Sequence, residues 1–312
     1  MNGSSPNALV GAVDSIFRTV DVVGDAWSWL VMREAVFHGA TRFGEFRRRL
    51  GAPGSTLSAR LRQLSRGGLL AKQRRSSGPV YQLTDSGRDF FGCLMVAMRW
   101  GDRWKFPPRS RPLTVMHLGC GNSVDAWLRC AECREVLSAR EVSADRAGSS
   151  AELVSDARRL RRRTPDLELL ERSSACSIAR TLTVTGDWWS SLMIREAFFG
   201  VRRFDEFQRR LEIAPNILAG RLRRLVDLDV LVKVQYETWP IRHEYRLTEM
   251  GLDLYPVPLA MLTWGRRWLE PAAADIRLRH VPCGREVRAI LTCAACGEEF
   301  SRDDVSLTVA KV

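Results

Sequence analysis

From Trp27 to Phe37 apolar residues recur three and four positions apart, the spacing that places them on one side of a helix. In "RFGEFRRRL", Phe43, Phe46 and Leu50 predict a second, short helix. "GAPGS" then breaks the pattern, with Ser55 placed to cap a third helix. Over "TLSARLRQLSRGGLL" the stripe is Leu57, Leu61 and Leu64, and Gly67 and Gly68 end the helix. The pattern then changes, and "LLAKQRR" and "VYQLTD" predict two strands joined by "SSGP". "TDSGRDFFGCLMVAMRWGDRW" returns to helix, with Thr84 near its cap. Helix, helix, turn, helix and a basic hairpin make a winged helix-turn-helix.

The same pattern occurs twice. "GDAWSWLVMREAV" from Gly24 matches "GDWWSSLMIREAF" from Gly186 at 8 of 13 positions. "RFGEFRRRLG" matches "RFDEFQRRLE" at 7 of 10. Unrelated stretches agree at roughly one position in fifteen, so chance is excluded. An offset this long means two whole domains rather than a solenoid of short units. The expected fold class is mainly α with small β (α+β). Winged helix-turn-helix copies over 8–108 and 173–272 are each followed by a small zinc-ribbon-like segment, 109–145 and 273–312. Residues 146–172 form a linker, in which "SSAELVSDARRLRRR" opens on a capping-box pattern, Ser149-x-x-Glu152, and predicts a short helix.

Composition changes the picture in two ways. Forty-eight Lys and Arg against 36 Asp and Glu give a net charge of +12, which suggests a polyanionic partner, nucleic acid or an anionic membrane surface. The plainer reading of that charge is solubility. No apolar run approaches the roughly 18 residues that span a bilayer, and the first residues lack a signal-peptide pattern. The expected compartment is therefore cytoplasmic, and the eight cysteines are not expected to form a disulfide framework.

At 100° per residue, Ser55, Ala59, Arg62 and Arg66 fall opposite the leucine stripe of the third helix. That face, with Thr56 and Ser58, is the candidate major-groove reader, Arg62 being suited to bidentate bonds with guanine. Copy 2 offers Asn216, Arg223 and Arg224. Arg74 and Arg75 of the first hairpin, and Lys233 and Arg242 of the second, are candidates for phosphate contacts. The heads differ: Ser58 and Ala59 become Ala219 and Gly220, and Arg66 becomes Asp227, so copy 1 is expected to bind more tightly.

His117, Cys120, Cys130 and Cys133 share the spacing His-x2-Cys-x9-Cys-x2-Cys with His280, Cys283, Cys293 and Cys296. Three thiols and an imidazole suit a tetrahedral structural zinc. A segment of ~30 residues has too little core to fold alone, so a metal staple is physically sensible. The expectation is two zinc ions, one per repeat. The alternative is unliganded thiols in a small lobe. No water-activating motif, phosphate-binding glycine loop or nucleophile elbow accompanies them, so no enzyme is expected.

The ordered series Gly186-Asp187-x-Trp189, Ile194-Arg195-Glu196, Arg203-Phe204-x-Glu206-Phe207, Leu218-x3-Leu222-x2-Leu225, Tyr245-x-Leu247-Thr248-x2-Gly251 and Trp264-Gly265 resembles the HxlR-type winged helix-turn-helix transcriptional regulators, as does much of copy 1. The resemblance implies a bacterial regulator that binds a double-stranded DNA operator as a dimer joined through terminal helices. Here it implies a single-chain pseudo-dimer, a repressor, joined by the helices carrying Trp100, Trp104, Trp264 and Trp268, with further self-association left open. Those tryptophans could instead close each domain's own core. In some members a cysteine at the place of Cys176 senses oxidants, although here a small buried residue is the simpler reading. A competing expectation is a protein-interaction scaffold built on the same domains.

Overall fold

The computed structural model describes residues 15–76, 78–106, 111–145, 176–269 and 276–309, and the helix expected over 149–163 lies outside them. Copy 1 consists of α1 (Ser15–Val23), α2 (Ala26–His38), α3 (Phe43–Leu50), α4 (Gly54–Arg66), a hairpin of β1 (Leu70–Arg75) and β2 (Gly78–Leu83), α5 (Asp85–Asp89) and α6 (Phe91–Trp104). Three strands come next: β3 (Leu113–His117), β4 (Ala126–Cys130) and β5 (Val142–Asp145). Copy 2 repeats the series as α7 (Ser177–Thr185), α8 (Trp188–Phe198), α9 (Phe204–Leu211), α10 (Pro215–Asp227), β6 (Leu231–Thr238), β7 (Ile241–Leu247), α11 (Glu249–Leu252) and α12 (Pro256–Trp268). The strands β8 (Arg277–His280), β9 (Ala289–Cys293) and β10 (Val305–Val309) complete the chain.

Local chemistry accounts for the heads. Asp25 caps α2, accepting from the Ser28 N–H at 3.2 Å and its hydroxyl at 2.6 Å, and Asp187 does the same for Ser190 of α8. The same carboxylates hold α4 and α10 in place, through Arg60 at 2.8 Å and Arg221 at 3.0 Å. Leu57, Leu61 and Leu64 are buried, as are Leu218, Leu222 and Leu225. α4 begins at Gly54 after Pro53, so Ser55 sits inside its first turn and does not cap it. The helix expected after Thr84 is split at Phe90 into α5 and α6, with Thr84 accepting from the Gly87 N–H at 3.1 Å. Cys93 is in the core, and Cys176, which opens α7, is half-buried beside the Arg33 guanidinium.

The two copies interlock. α1 of copy 1 packs on α12 of copy 2, and α7 of copy 2 packs on α6 of copy 1. Both crossings are close because each carries a glycine. A Cβ on Gly101 would lie 2.1 Å from the Ser177 carbonyl oxygen, and one on Gly265 would lie 2.4 Å from Thr19 Oγ1. In that space Thr181 donates to the Ala97 carbonyl at 2.6 Å and Thr19 to the Met261 carbonyl at 3.0 Å. The tryptophans reach across the same boundary. Trp100 donates to the Met250 carbonyl (3.0 Å) and Trp264 to that of Ser86 (2.8 Å), while Trp104 and Trp268 donate to Asp253 (2.7 Å) and Asp89 (2.6 Å). They therefore join the copies rather than only closing each domain's own core.

The strand segments cross as well. β3 pairs with β10, β4 with β9 and β5 with β8, all antiparallel. Among the described residues, every ladder of these six strands thus joins segment 1 to segment 2. Contacts within a segment are single bridges such as Met116 with Ser123 and Arg279 with Glu286. A segment with three short strands cannot cover its own edges. The interlocked heads hold two such segments side by side at high effective concentration, and each supplies the other's partners.

Candidate nucleic-acid interface and metal centres

Capping and packing direct the exposed face of α4 away from the core. Ser55, Arg62 and Arg66 are exposed, Thr56 and Ser58 half-buried, and Arg62 Nε folds back toward the Ser58 carbonyl at 3.4 Å. On α10, Asn216, Arg223 and Asp227 are exposed. Arg224 differs from the expectation: it is half-buried and donates to the Thr183 carbonyl at 2.5 Å, where it ties α10 to α7. On the hairpins Arg74, Arg75 and Lys233 are exposed, and Arg242 is exposed but paired with Glu237 at 3.2 Å.

Sequence reasoning passed over one basic element. Arg47 and Arg48 of α3 are exposed next to the turn that leads into α4, and the run of three arginines in "RFGEFRRRL" was the available signal. The second hairpin is also longer than the first, and its tip exposes Trp239, Ile241 and Tyr236.

Each metal-ligand set is assembled from both repeats, which corrects the expectation of one ion held within each segment. One cluster is His117, Cys120, Cys293 and Cys296, and the other is Cys130, Cys133, His280 and Cys283, with the ligand atoms of each within 4.8 Å of one another. His117 Nδ1 lies 3.4 Å from Cys120 Sγ and 3.3 Å from Cys296 Sγ. His280 Nδ1 lies 3.4 Å from Cys283 Sγ and 3.3 Å from Cys133 Sγ. The reason is the strand exchange: β4 and β9 run antiparallel, so the Cys-x2-Cys turn at the end of each meets the His-x2-Cys turn of the other segment. Identical spacing in both segments satisfies either partition, so the ligand types were legible and their grouping was not.

The donor sets fit a tetrahedral ion. Zinc–thiolate bonds of about 2.3 Å imply a sulfur–sulfur edge of about 3.8 Å, and Cys130 Sγ and Cys283 Sγ are 3.9 Å apart. Both histidines are buried. Gly121 and Gly284 come directly after the first cysteine of each turn at φ 69° and 68°, a left-handed conformation that glycine adopts without strain. Hydrogen bonds from the backbone N–H and side chain of Asn122 hold the Cys120 thiol down at about 6, which favours the thiolate a metal requires. Four ligands leave no open position, so such an ion would be structural.

Among the described residues no helix is long and apolar enough to cross a membrane. The HxlR-like helix-turn-helix family matches residues 22–108 and 184–273. An uncharacterized HTH-type transcriptional regulator of Mycobacterium tuberculosis (strain CDC 1551 / Oshkosh), MT3179, is 42% identical over 140 residues, which are 45% of this chain and 89% of that protein. YdeP of Bacillus subtilis (strain 168), also an uncharacterized HTH-type transcriptional regulator, is 33% identical over 94 residues, 30% of this chain and 73% of that protein. The crystal structure of PA1607 is similar at 39% identity and a TM-score of 0.40, covering 43% of this chain and 94% of that one. With both heads matched by one family, and their capped helices, hairpins and cross-copy tryptophans repeated in register, the chain belongs to the HxlR-like helix-turn-helix family in tandem-duplicated form.

Proposed function

We propose that the chain is a sequence-specific regulator of transcription that binds double-stranded DNA as a single-chain pseudo-dimer and represses by occupying its operator. The observation that carries this reading is the pair of solvent-facing helices α4 and α10, each clamped to its own domain by an aspartate–arginine pair and mounted on one interlocked body. Arg62, Arg66 and Arg223 meet base edges, with Ser55, Thr56, Ser58 and Asn216 beside them. Arg74, Arg75, Lys233 and Arg242 track phosphates. Arg224 positions α10 instead of reading bases. Copy 2 binds more weakly, because Asp227 stands where copy 1 has Arg66 and repels phosphate. Two zinc ions staple the crossed segments, and the protein works in the cytoplasm without catalysing a reaction.

The test is titration of duplexes selected from random sequence across a range of salt. Each neutralised phosphate should contribute about −0.9 to the slope of log affinity against log salt. Binding that is absent or independent of salt overturns the reading. In that case the exposed apolar tip at Trp239 and Ile241 would favour the competing role, a protein-interaction scaffold.

A further inference from the structure

The two ligand clusters share their donors but not their surroundings. In each, the histidine turns Nδ1 toward two thiols, at 3.3 and 3.4 Å. An ion bound through Nδ1 leaves the ring proton on Nε2, which then needs an acceptor or water. The outer nitrogens differ in this respect. His280 has no exposed surface, and among the described residues its Nε2 is buried without a hydrogen-bond partner. His117 keeps 4% of its surface exposed.

One difference between the turns accounts for this. "HLGC" of segment 1 has Gly119 where "HVPC" of segment 2 has Pro282. A Cβ on Gly119 would stand 3.2 Å from His117 Cε1 and 3.4 Å from Nε2, so the glycine leaves the outer edge of that ring open. Proline brings ring carbons to the corresponding place in segment 2. A second difference runs the same way. Asn122 Nδ2 donates to the Cys120 carbonyl at 3.2 Å and fastens the His117 turn, whereas its counterpart, Arg285, is exposed.

We propose that the clusters are graded metal sites: the His117 site keeps its ion as a permanent staple, and the His280 site exchanges its ion with the surrounding zinc. This rests on the reading that both clusters hold zinc. Without metal, the His280 proton can sit on Nδ1, which faces sulfur. Metal binding there drives it onto the sealed Nε2, where nothing accepts it. At His117 the same shift brings the proton to an open edge. Loss of the partners around a metal-bound histidine costs about 10–100-fold in metal affinity, and that is the expected gap between the sites. When the exchangeable ion leaves, the turns after β4 and β8 lose their common anchor. The His117 site still ties the turn after β3 to the turn after β9. One end of the crossed lobe is thereby released while the crossing itself survives.

The experiment equilibrates the full chain with free zinc set by nitrilotriacetate buffers and counts ions per chain by native mass spectrometry. Wild type should carry one zinc over a window of about 10–100-fold in free zinc and two above it. Cys130→Ser with Cys283→Ser, which leaves the His117 site, should keep the tighter step. Cys120→Ser with Cys293→Ser should keep the weaker one. Pro282→Gly should tighten the weaker step about tenfold by opening the His280 edge; mere loosening of the turn would weaken it instead. Cys296 of the His117 site is exposed, so if access to the thiols decided the order, that site would empty first. Two equal steps, the reverse order, or no tightening in Pro282→Gly overturns the grading while the zinc reading stands. Absence of bound zinc at every setting overturns the zinc reading, and the grading with it.

Discussion

Removing two cysteines at a time should separate crossed metal sites from local ones. With the sites crossed, Cys120→Ser with Cys293→Ser damages one cluster and spares the other, whereas Cys120→Ser with Cys130→Ser damages both. Ions held within each segment would give the opposite result. The stability change can be estimated by treating each metal as a cross-link that restricts the unfolded chain. The first ion to bind joins points about 170 residues apart, worth about 5 kcal/mol. The second closes a loop of only about 20 residues, worth about 3 kcal/mol. The Cys120/Cys293 pair should therefore lose one equivalent of zinc and about 3 kcal/mol, and the Cys120/Cys130 pair both equivalents and about 8 kcal/mol. Zinc content by mass spectrometry and denaturant midpoints of the same samples check this. Reversal of the two zinc counts would refute the crossed assignment, and equal stability losses would refute the loop argument.

Arg62→Ala should weaken duplex binding by about 1–3 kcal/mol at fixed salt, and Arg223→Ala by less; equal losses in parallel titrations would count against unequal heads. Gly101→Ala forces a Cβ to within 2.1 Å of the Ser177 carbonyl oxygen and should lower unfolding stability by about 1–3 kcal/mol. Gly220→Ala, with nothing near its added carbon, should be neutral or gain up to about 1 kcal/mol. Burial holds the Asp102 carboxyl above its usual range although Ser177 donates to it. The folded protein then binds the proton more readily than the unfolded chain, so this group's contribution falls as pH rises from the unfolded pKa through the folded one. Asp102→Asn should therefore be more stable than wild type at neutral pH and lose that advantage toward acid, as measured by thermal unfolding across pH.

The heads were readable because each of their determinants is local. Leucines 57, 61 and 64 fall on one helical face, Thr84 caps at the expected place, and the same pattern returns in copy 2. The role of the tryptophans came from the family resemblance. What escaped depends on pairing at long range. α1 is a short helix whose apolar face packs mainly against α12 of the other copy. The grouping of eight ligands depends on which strand meets which, and hydrophobic pattern does not decide that when both segments carry the same spacing. Arg224 lies one position from Arg223, yet it turns toward Thr183 because α7, whose packing the sequence pattern did not place, offers a carbonyl there.

Strand exchange across the tandem also dictates an order of events during synthesis. β3, β4 and β5 take all their ladder partners from β8, β9 and β10, and the last of these ends at Val309. A nascent chain that has released residue 145 must add about 160 more before those edges can pair, which takes about 10–30 s at ~5–20 residues per second. For that interval three thiols and three strands wait without their ladder partners, and copy 1 still lacks the α7 and α12 faces on which its α6 and α1 pack.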